Sequence, residues 1–517
     1  MSDIELDPRM PVLVGCGQLV QKEKDVEKAK SPMHLMADAA RAAAADTGLG
    51  DRLWSAIDTV TTVRFITDSP DSGRLPFGRY ANPPKTLANM LGAAPAKCCY
   101  GPTGGNTPQM LVNHTAEQIA NGETEVALLA GSECFATLMR ALKQGKTLPW
   151  HDEPGGNRID IGDDKASVTE TEKRHKLQYP VNIYPLFENA IRGNAGRTVK
   201  DHQLAIGRLM APFTEVAAKH PQAWFPTIRT AEEIATPGER NRYIGYPYTK
   251  YMNAVMQVDQ AAAVVMMSVA KARELGVPQS KWVFLHGCAD ANDLWFPTGR
   301  VDFHSSPAIR MIGRKAFAMS GWTVGEIDYF DLYSCFPSAV QIGRQELGIA
   351  EDDPRALTVT GGLPYFGGAG NNYVMHSIAT LMDKLRARPG TKGLCTSNGW
   401  YVTKHGLGLY STAPRAGKWE RENPAIYQAE IDAGKHPKVD EKPNGKARIE
   451  TYTVVHRSGG PDFAILFGRL ADTDARFVAH TPNDPATLAG MVERDQLGRS
   501  GTVAAATDNS VNIFTPE

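Results

Sequence analysis

The 517-residue chain has few cysteines, no long apolar runs and almost no net charge. Its seven cysteines are an odd number and lack CxxC spacing, which argues against a disulfide framework or a structural zinc site, so no metal is expected. A membrane-spanning helix needs about 18 or more consecutive apolar residues, and no such run occurs. The acidic start, MSDIELDPRM, lacks the pattern of a signal peptide. Together these absences predict a reduced, cytoplasmic protein.

The charge balance also argues against one class of partner. The chain carries 56 Lys plus Arg and 57 Asp plus Glu, for a formal net charge of −1. A polybasic nucleic-acid-binding protein would show a strong excess of cations. Arginines do occur near the C-terminus, but acidic residues accompany them and no aromatic stacking stripe is present. Nucleic acid is therefore not an expected partner.

What is present is a repeated alternation of helix and strand patterns. Residues 1–275 and 276–415 each alternate short apolar strands with amphipathic helices, which favours a duplicated α/β fold. Residues of about 134–250, rich in Pro, Gly and charge, interrupt the first block as an inserted loop domain. Residues 416–446 have the composition of a linker. Residues 447–517 read as five short strands and one helix, typical of a small β-barrel of the oligonucleotide/oligosaccharide-binding (OB) type.

Four short segments carry a resemblance to a known family. Residues 121–133 (NGETEVALLAGSE), 258–263 (VDQAAA), 331–336 (DLYSCF) and 394–399 (LCTSNG) resemble, in order and spacing, four motifs of the thiolase superfamily. With the extra C-terminal domain, the chain most resembles the sterol-carrier-protein-type thiolase-like proteins of type 1. The resemblance implies a five-layer αβαβα thiolase fold for the two blocks, a coenzyme A thioester as substrate or ligand, and no other cofactor.

At two family positions the chain carries glycine. By the resemblance, the nucleophilic cysteine at the start of the helix before residue 121 falls on Gly105, and the histidine of the GHP loop falls on Gly368. The nucleophile of such an enzyme is a thiolate, so its loss argues against an acyl-enzyme intermediate and against ordinary thiolysis.

Other residues match the remaining family positions. Cys395 matches the second catalytic cysteine, and Tyr333 takes the Asn/His position of the oxyanion loop. His376, on a predicted helix, is a candidate replacement for the lost histidine; each of the three has a competing interpretation as a core residue. His405 is expected in the loop after Cys395.

The turn of Gly104, Gly105 and Asn106 is expected to offer free backbone N–H groups as an oxyanion site.

The sequence leaves two functions open. The first is an acyl-CoA enzyme, an acyltransferase or a retro-aldol type C–C bond enzyme, that works without the acyl-cysteine. Thiolase-like aldolases of steroid side-chain breakdown resemble the chain because they also lack the family's cysteine and histidine. These aldolases use tyrosines near the same two loops and work with an OB-fold partner protein. The alternative is a non-catalytic acyl-CoA- or lipid-binding protein. Acyl-CoA is the expected partner in either case, and both monomer and dimer remain open.

Overall fold

A computed structural model describes residues 6–69, 78–162, 165–508 and 510–517. The first half-domain begins with a strand whose side chains are mostly buried and proceeds by strand and helix alternation. Ser31 caps the first helix through its hydroxyl, which accepts a hydrogen bond from the N–H of His34, and Pro32 follows at the first helical position. The elements are β1 (Pro11–Val20), α1 (Pro32–Asp46), β2 (Thr59–Thr62), α2 (Pro83–Leu91), β3 (Lys97–Tyr100), α3 (Thr107–Asn121) and β4 (Val126–Cys134).

The insertion is largely helical and returns to the first half-domain through a long, fully buried strand. Its helices pack on the second half-domain and on the C-terminal barrel. The elements are α4 (Phe135–Lys143), β5 (Ile159–Asp160), α5 (Glu170–Arg174), α6 (Pro180–Asn194), α7 (Val199–Lys219), α8 (Ala231–Ala235), β6 (Tyr243–Gly245), β7 (Tyr248–Thr249), β8 (Asp259–Ser268) and α9 (Val269–Glu274).

The second half-domain repeats the arrangement of the first with four strands among the described residues. Its elements are β9 (Val283–Asn292), α10 (Pro307–Ser320), β10 (Tyr329–Asp331), α11 (Pro337–Glu346), α12 (Tyr373–Ala387), β11 (Lys392–Gly399) and β12 (Lys404–Ser411). The segment that contains His405, expected as a loop, is therefore strand β12.

The two half-sheets run in matching orders and meet at one edge. The order is β10-β11-β12-β9-β1-β8-β4-β2-β3-β5, and β1 joins β9 through only two residue pairs. Helices α3 and α12 contact strands of both halves, whereas α1 covers β1 and β8 and α10 covers β9 and β12. The layers are therefore helix, sheet, helix, sheet, helix. The expected thiolase fold is confirmed, with the addition that its two sheets are hydrogen-bonded to each other.

The C-terminal region forms a five-stranded barrel with its own apolar core. Its elements are α13 (Pro424–Asp432), β13 (Gly445–Arg457), β14 (Gly460–Leu470), β15 (Arg476–His480), α14 (Pro485–Glu493), β16 (Ser500–Ala504) and β17 (Ile513–Pro516). Strand β13 pairs with both β14 and β16, which closes the barrel, and β6 and β7 of the insertion extend the sheet. The small barrel is confirmed; its assignment to the OB type stays a prediction.

The barrel and the segment before it are docked on the half-domains. Tyr427 and Ile431 of α13 are buried, so the expected linker is partly a packed element. The buried guanidinium of Arg476 donates to both carboxylate oxygens of Glu450 at 2.7 Å and to the carbonyl of Thr298 in the second half-domain at 3.1 Å. Buried charges that are fully paired in this way fix the orientation of the elements that hold them.

Candidate functional site

A cavity of about 340 Å³ lies at the N-terminus of α3, where both half-domains and the insertion meet. Gly104 and Gly105 precede α3 on one side of it, and Tyr333 from the loop after β10 faces them. Gly368 contributes from the glycine-rich loop before α12. The wall is otherwise mainly apolar and aromatic. A concave, apolar cavity with a few polar groups is the usual form of a small-molecule site.

The hydroxyl of Tyr333 fills the space next to Gly105. A β-carbon built on Gly105 would lie 2.1 Å from the phenolic oxygen of Tyr333 and 2.6 Å from the carbonyl oxygen of Asn398. Contacts that short are not tolerated, so a side chain at 105 and the phenol at 333 exclude each other. The position where the resemblance expects a nucleophile is thus occupied by a phenol from the opposite loop.

The phenol of Tyr333 is a neutral hydrogen-bond donor. Burial, and secondarily the nearby Cys335, raises its pKa well above the ordinary value of 10. The backbone N–H of Tyr333 donates to the Thr396 hydroxyl at 2.8 Å, and the ring meets that of Tyr373 edge-on at 5.9 Å. These contacts hold the ring in place, so the hydroxyl is suited to donate to a carbonyl oxygen in the cavity.

The expected oxyanion turn is available only in part. The N–H of Gly104 donates to the side-chain oxygen of Asn371 at 3.0 Å and is therefore not free. Among the described residues, no acceptor lies within hydrogen-bond distance of the N–H groups of Gly105 and Asn106, and of these two only Gly105 lines the cavity. The expectation of three free amides is wrong for Gly104, because Asn371 uses it to tie the turn to the loop before α12.

Two predicted catalytic residues do not line this cavity. Cys395 lies on β11 with its sulfur buried beside Asp331, and burial raises its thiol pKa well above 9.0. His376 lies on α12, where its Nδ1 is 3.1 Å from the Gln18 side-chain oxygen, and burial lowers its pKa to about 3. Neither is among the described residues that line the cavity, whereas Tyr333 is.

Gly368 lines the cavity, and a side chain there would meet a less severe contact than at Gly105. Its N–H donates to the carbonyl of Val255 at 2.8 Å. A β-carbon on Gly368 would lie 3.2 Å from that carbonyl oxygen and 3.6 Å from the Leu363 side chain, so the backbone at Val255 would have to shift by a few tenths of an ångström. Unlike Gly105, this glycine is not matched by a side chain that fills its place.

The sequence did not indicate two polar side chains of the wall, those of Asn398 and Tyr184. The Asn398 amide donates to the hydroxyl of Tyr184 at 2.9 Å, and that hydroxyl donates to the carbonyl of Trp400 at 2.8 Å. The side-chain oxygen of Asn398 is buried without a hydrogen-bond partner in the described residues. Asn398 lies within the motif of residues 394–399, but in that motif the predicted catalytic residue was Cys395, three residues away.

The cavity wall carries no charged acid or base. None of the described residues that line it is Asp, Glu, His, Lys or Arg. Its one lining cysteine, Cys335, has a pKa raised to about 12 by burial, so it is a thiol near neutral pH. A thiol is a poor nucleophile and a weak acid. The site therefore offers hydrogen-bond donors to a ligand, but no side chain suited to take a proton from it.

Two other kinds of feature are absent from the described residues. No cluster of three or more His, Cys, Asp or Glu side chains that could hold a metal ion occurs in the described ranges. Within the same ranges, no helix is long and apolar enough to cross a membrane.

The chain is similar along its whole length to a solved structure. This is the monomeric SCP2-thiolase-like protein type 1 from Mycobacterium smegmatis, at 36% identity and a TM-score of 0.84, with 99% of each chain covered. Residues 427–508 match the family model described as the thiolase-like protein type 1 additional C-terminal domain. An Ltp2-ChsH2(DUF35) aldolase shares the fold, with a TM-score of 0.57 at 21% identity over 78% of this chain and 98% of the other.

Matches to curated proteins are partial. The chain is 25% identical over 229 residues to a 17-hydroxy-3-oxo-4-pregnene-20-carboxyl-CoA lyase of Mycobacterium tuberculosis, covering 42% of this chain and 57% of the lyase. It is 29% identical over 150 residues to an acetyl-CoA acetyltransferase of Pseudomonas aeruginosa, covering 28% of this chain and 34% of that enzyme. The relatives found are thiolase-like acyl-CoA enzymes, and from its full-length similarity the chain belongs to the SCP2-thiolase-like protein type 1 family.

Proposed function

We propose that the cavity binds an acyl-CoA thioester without forming a covalent acyl-cysteine, and that the chain acts as an acyl-CoA-binding protein. The observation that carries this proposal is the phenol of Tyr333 in the space beside Gly105. The phenol donates to the thioester carbonyl oxygen, and the Gly105 N–H is a second donor at the same end of the cavity. The apolar wall, including Leu363 and Phe336, receives the acyl chain.

The chemistry of the wall favours binding over turnover. A covalent route needs a thiolate. Among the described residues of the wall the only thiol is that of Cys335, which stays protonated because burial raises its pKa to about 12. Proton removal from carbon needs a base with a pKa near the working pH, and the described wall has no carboxylate, imidazole or amine. Thiolysis of acetoacetyl-CoA by this protein is therefore expected to be negligible.

The test is a titration of the full chain with butyryl-CoA by isothermal calorimetry, followed by mass spectrometry of the recovered ligand. We expect saturable binding, unchanged ligand and no acylated cysteine. Tyr333→Phe removes one hydrogen bond worth about 0.5–1.5 kcal/mol, so its Kd should rise by roughly 2- to 13-fold. Tyr329→Phe, a tyrosine outside the cavity wall, is the matched control and should bind as the wild type does. A wild-type chain that does not bind butyryl-CoA would overturn the proposal.

A retro-aldol lyase is the second candidate, favoured by the neutral phenol of Tyr333 and by the partial similarity to the CoA lyase. In that reaction the hydroxyl proton of a β-hydroxyacyl-CoA leaves, the Cα–Cβ bond breaks to give a carbonyl product, and the enolate of the shortened thioester gains a proton at Cα. Tyr333 would donate to the enolate oxygen, and water would take the hydroxyl proton. Cleavage of 3-hydroxybutyryl-CoA to acetaldehyde and acetyl-CoA, lost in Tyr333→Phe, would establish this candidate in place of the first.

A further inference from the structure

A second cavity, of about 690 Å³, opens between the insertion and the C-terminal barrel. The insertion contributes Lys176, Arg242 and the start of α6 to it. The barrel contributes His456 and Arg457 from the end of β13. We call this cavity the interdomain groove. It is composite, since neither the insertion nor the barrel alone would form it.

The charge of the interdomain groove has one sign. Lys176, Arg242 and Arg457 are exposed cations, and no Asp or Glu is among the described residues that line the groove. Burial lowers the pKa of His456, so this imidazole is neutral near pH 7. Because Asp462 pairs with Arg457 at 2.6 Å, the net positive charge comes from Lys176 and Arg242, and Arg457 adds its unpaired terminal donors. In a chain with a formal net charge of −1, such a patch is a local feature that attracts anions.

The cations keep donors available. The Nε of Arg457 donates to Asp462 at 2.6 Å, while its two terminal nitrogens have no acceptor in the described part of the chain. Arg242 uses one terminal nitrogen on the carbonyl of Tyr243 at 2.8 Å and on that of His456 at 3.3 Å. Lys176 is exposed to solvent. Free guanidinium and ammonium donors are the groups that bind phosphate oxygens.

The barrel wall of the groove is held in a fixed position. Gly245 of β6 pairs with Val455 of β13, and the N–H of Tyr246 donates to the carbonyl of Val454 at 2.8 Å. The Tyr243 ring lies 5.3 Å from the His456 ring, centre to centre. The barrel therefore presents Arg457 at a defined place beside the insertion, and little ordering is needed when an anion binds.

The groove adjoins the cavity at the start of α3. Val181 lines both, with Pro180 in the wall of the cavity and Tyr179 in the wall of the groove. A coenzyme A thioester has a matching polarity: an apolar acyl group at one end, a pantetheine arm, and phosphates at the other end. A ligand whose thioester reaches Tyr333 can thus place its charged end toward the groove.

We infer that the interdomain groove binds the phosphorylated end of the acyl-CoA, with Arg457 of the C-terminal barrel as a phosphate ligand beside Lys176 and Arg242. This inference rests on the proposed binding of acyl-CoA in the cavity. It gives the additional domain a role in ligand binding. The barrel supplies part of the site for the phosphates of coenzyme A, and it does not contact the acyl end of the ligand.

The test compares two probes with the same acyl group. Butyryl-CoA carries the phosphates, whereas S-butyryl-N-acetylcysteamine carries the thioester without them. Arg457→Ala and Lys176→Ala should each weaken butyryl-CoA binding by roughly five- to tenfold, and together by about thirtyfold or more, with reduced salt dependence. Neither should change the Kd of the short thioester. Arg448→Ala, an exposed arginine on the same strand paired with Asp474, is the matched control and should change neither.

A third probe, adenosine 3′,5′-bisphosphate, isolates the charged end and should compete with butyryl-CoA in the wild type but not in the double variant. Inorganic phosphate at the same concentration should compete weakly, since it lacks the rest of the ligand. If both thioesters bind the wild type and the arginine and lysine variants bind butyryl-CoA unchanged, the groove inference is wrong while the proposed function stands. If neither thioester binds, the proposed function itself has failed.

Discussion

Replacing Gly105 with alanine should destabilise the protein, and removing the Tyr333 side chain in the same chain should relieve part of that cost. The perturbation is a single methyl group. Built on Gly105, it would lie 2.1 Å from the Tyr333 hydroxyl oxygen, 2.8 Å from the adjoining ring carbon and 2.6 Å from the Asn398 carbonyl oxygen. Two of these three atoms belong to Tyr333 and can move, whereas the third is backbone of the motif that ends β11.

The magnitude follows from the distances. Non-bonded contacts settle at about 3.5–4.0 Å, so the phenol would have to withdraw by roughly 1.4 Å or more. Overpacking of this kind in a packed interior costs about 1–3 kcal/mol. In Gly105→Ala/Tyr333→Ala the clash with the ring disappears and the clash with the Asn398 carbonyl remains. We therefore expect the double variant to be more stable than the sum of the single effects predicts, by about 1–2 kcal/mol.

The assay is urea unfolding of the four chains followed by circular dichroism, with the free energy taken from the first transition because the protein has more than one folding unit. Gly343→Ala is the matched control. Gly343 is a buried helical glycine with open space where its β-carbon would be, so alanine there should be neutral or stabilise by up to about 1 kcal/mol.

Either of two results would contradict this prediction. If Gly105→Ala is tolerated as well as Gly343→Ala, the Tyr333 hydroxyl does not occupy the space beside the glycine. If the two single effects add within about 0.3–0.5 kcal/mol, the residues are not in contact.

Two further predictions concern stability and domain docking. The pKa of His376 is lowered to about 3 from 6.5 by burial, so between these values the unfolded chain binds a proton that the folded chain does not. The free energy of unfolding should then fall with decreasing pH across this window. His376→Gln should reduce the slope by up to about 1.4 kcal/mol per pH unit in urea titrations at pH 7 and pH 5, and an unchanged slope in this variant would contradict the prediction. Limited trypsin digestion should cut at the exposed Lys435 and spare Arg421, because the Arg421 guanidinium is buried between Glu117 and Asp290. N-terminal sequencing of the fragments identifies the cleavage site. Early cleavage at Arg421 would show that the segment before the barrel is not docked.

Local sequence signals mark the ends of helices in the first half-domain. Ser31 followed by Pro32 is the pattern of a helix start, and α1 begins there with Ser31 as its cap. Gly122 is the kind of residue that ends a helix, and it closes α3 in the left-handed conformation. Caps, prolines and terminal glycines act within one turn of chain, so they can be identified without any tertiary contact.

The residues that meet at the cavity were harder to predict, because a motif does not say which face of an element each residue occupies. Tyr333 and Gly105 were both singled out, and they lie together. Cys395 was chosen from its motif, yet Asn398 is the residue of β11 that reaches the wall, because successive side chains of a strand point to opposite faces. His376 was chosen from α12, but its ring lies against Phe366, 5.1 Å away between ring centres, and not in the cavity.

The sequence by itself determined the duplicated α/β architecture and the additional barrel, since each depends on local pattern or on motif order. The placement of Gly105 and Gly368 at two catalytic positions of the family stays a prediction from the resemblance. The tertiary structure alone decided three other properties: that the Tyr333 phenol fills the space beside Gly105, that α13 is docked, and that the barrel faces the insertion across a cationic groove. The physical reason is distance along the chain. Gly105 and Tyr333 are brought together by the packing of two half-domains. The pattern of apolar residues within one segment does not specify which distant segment will pack against it.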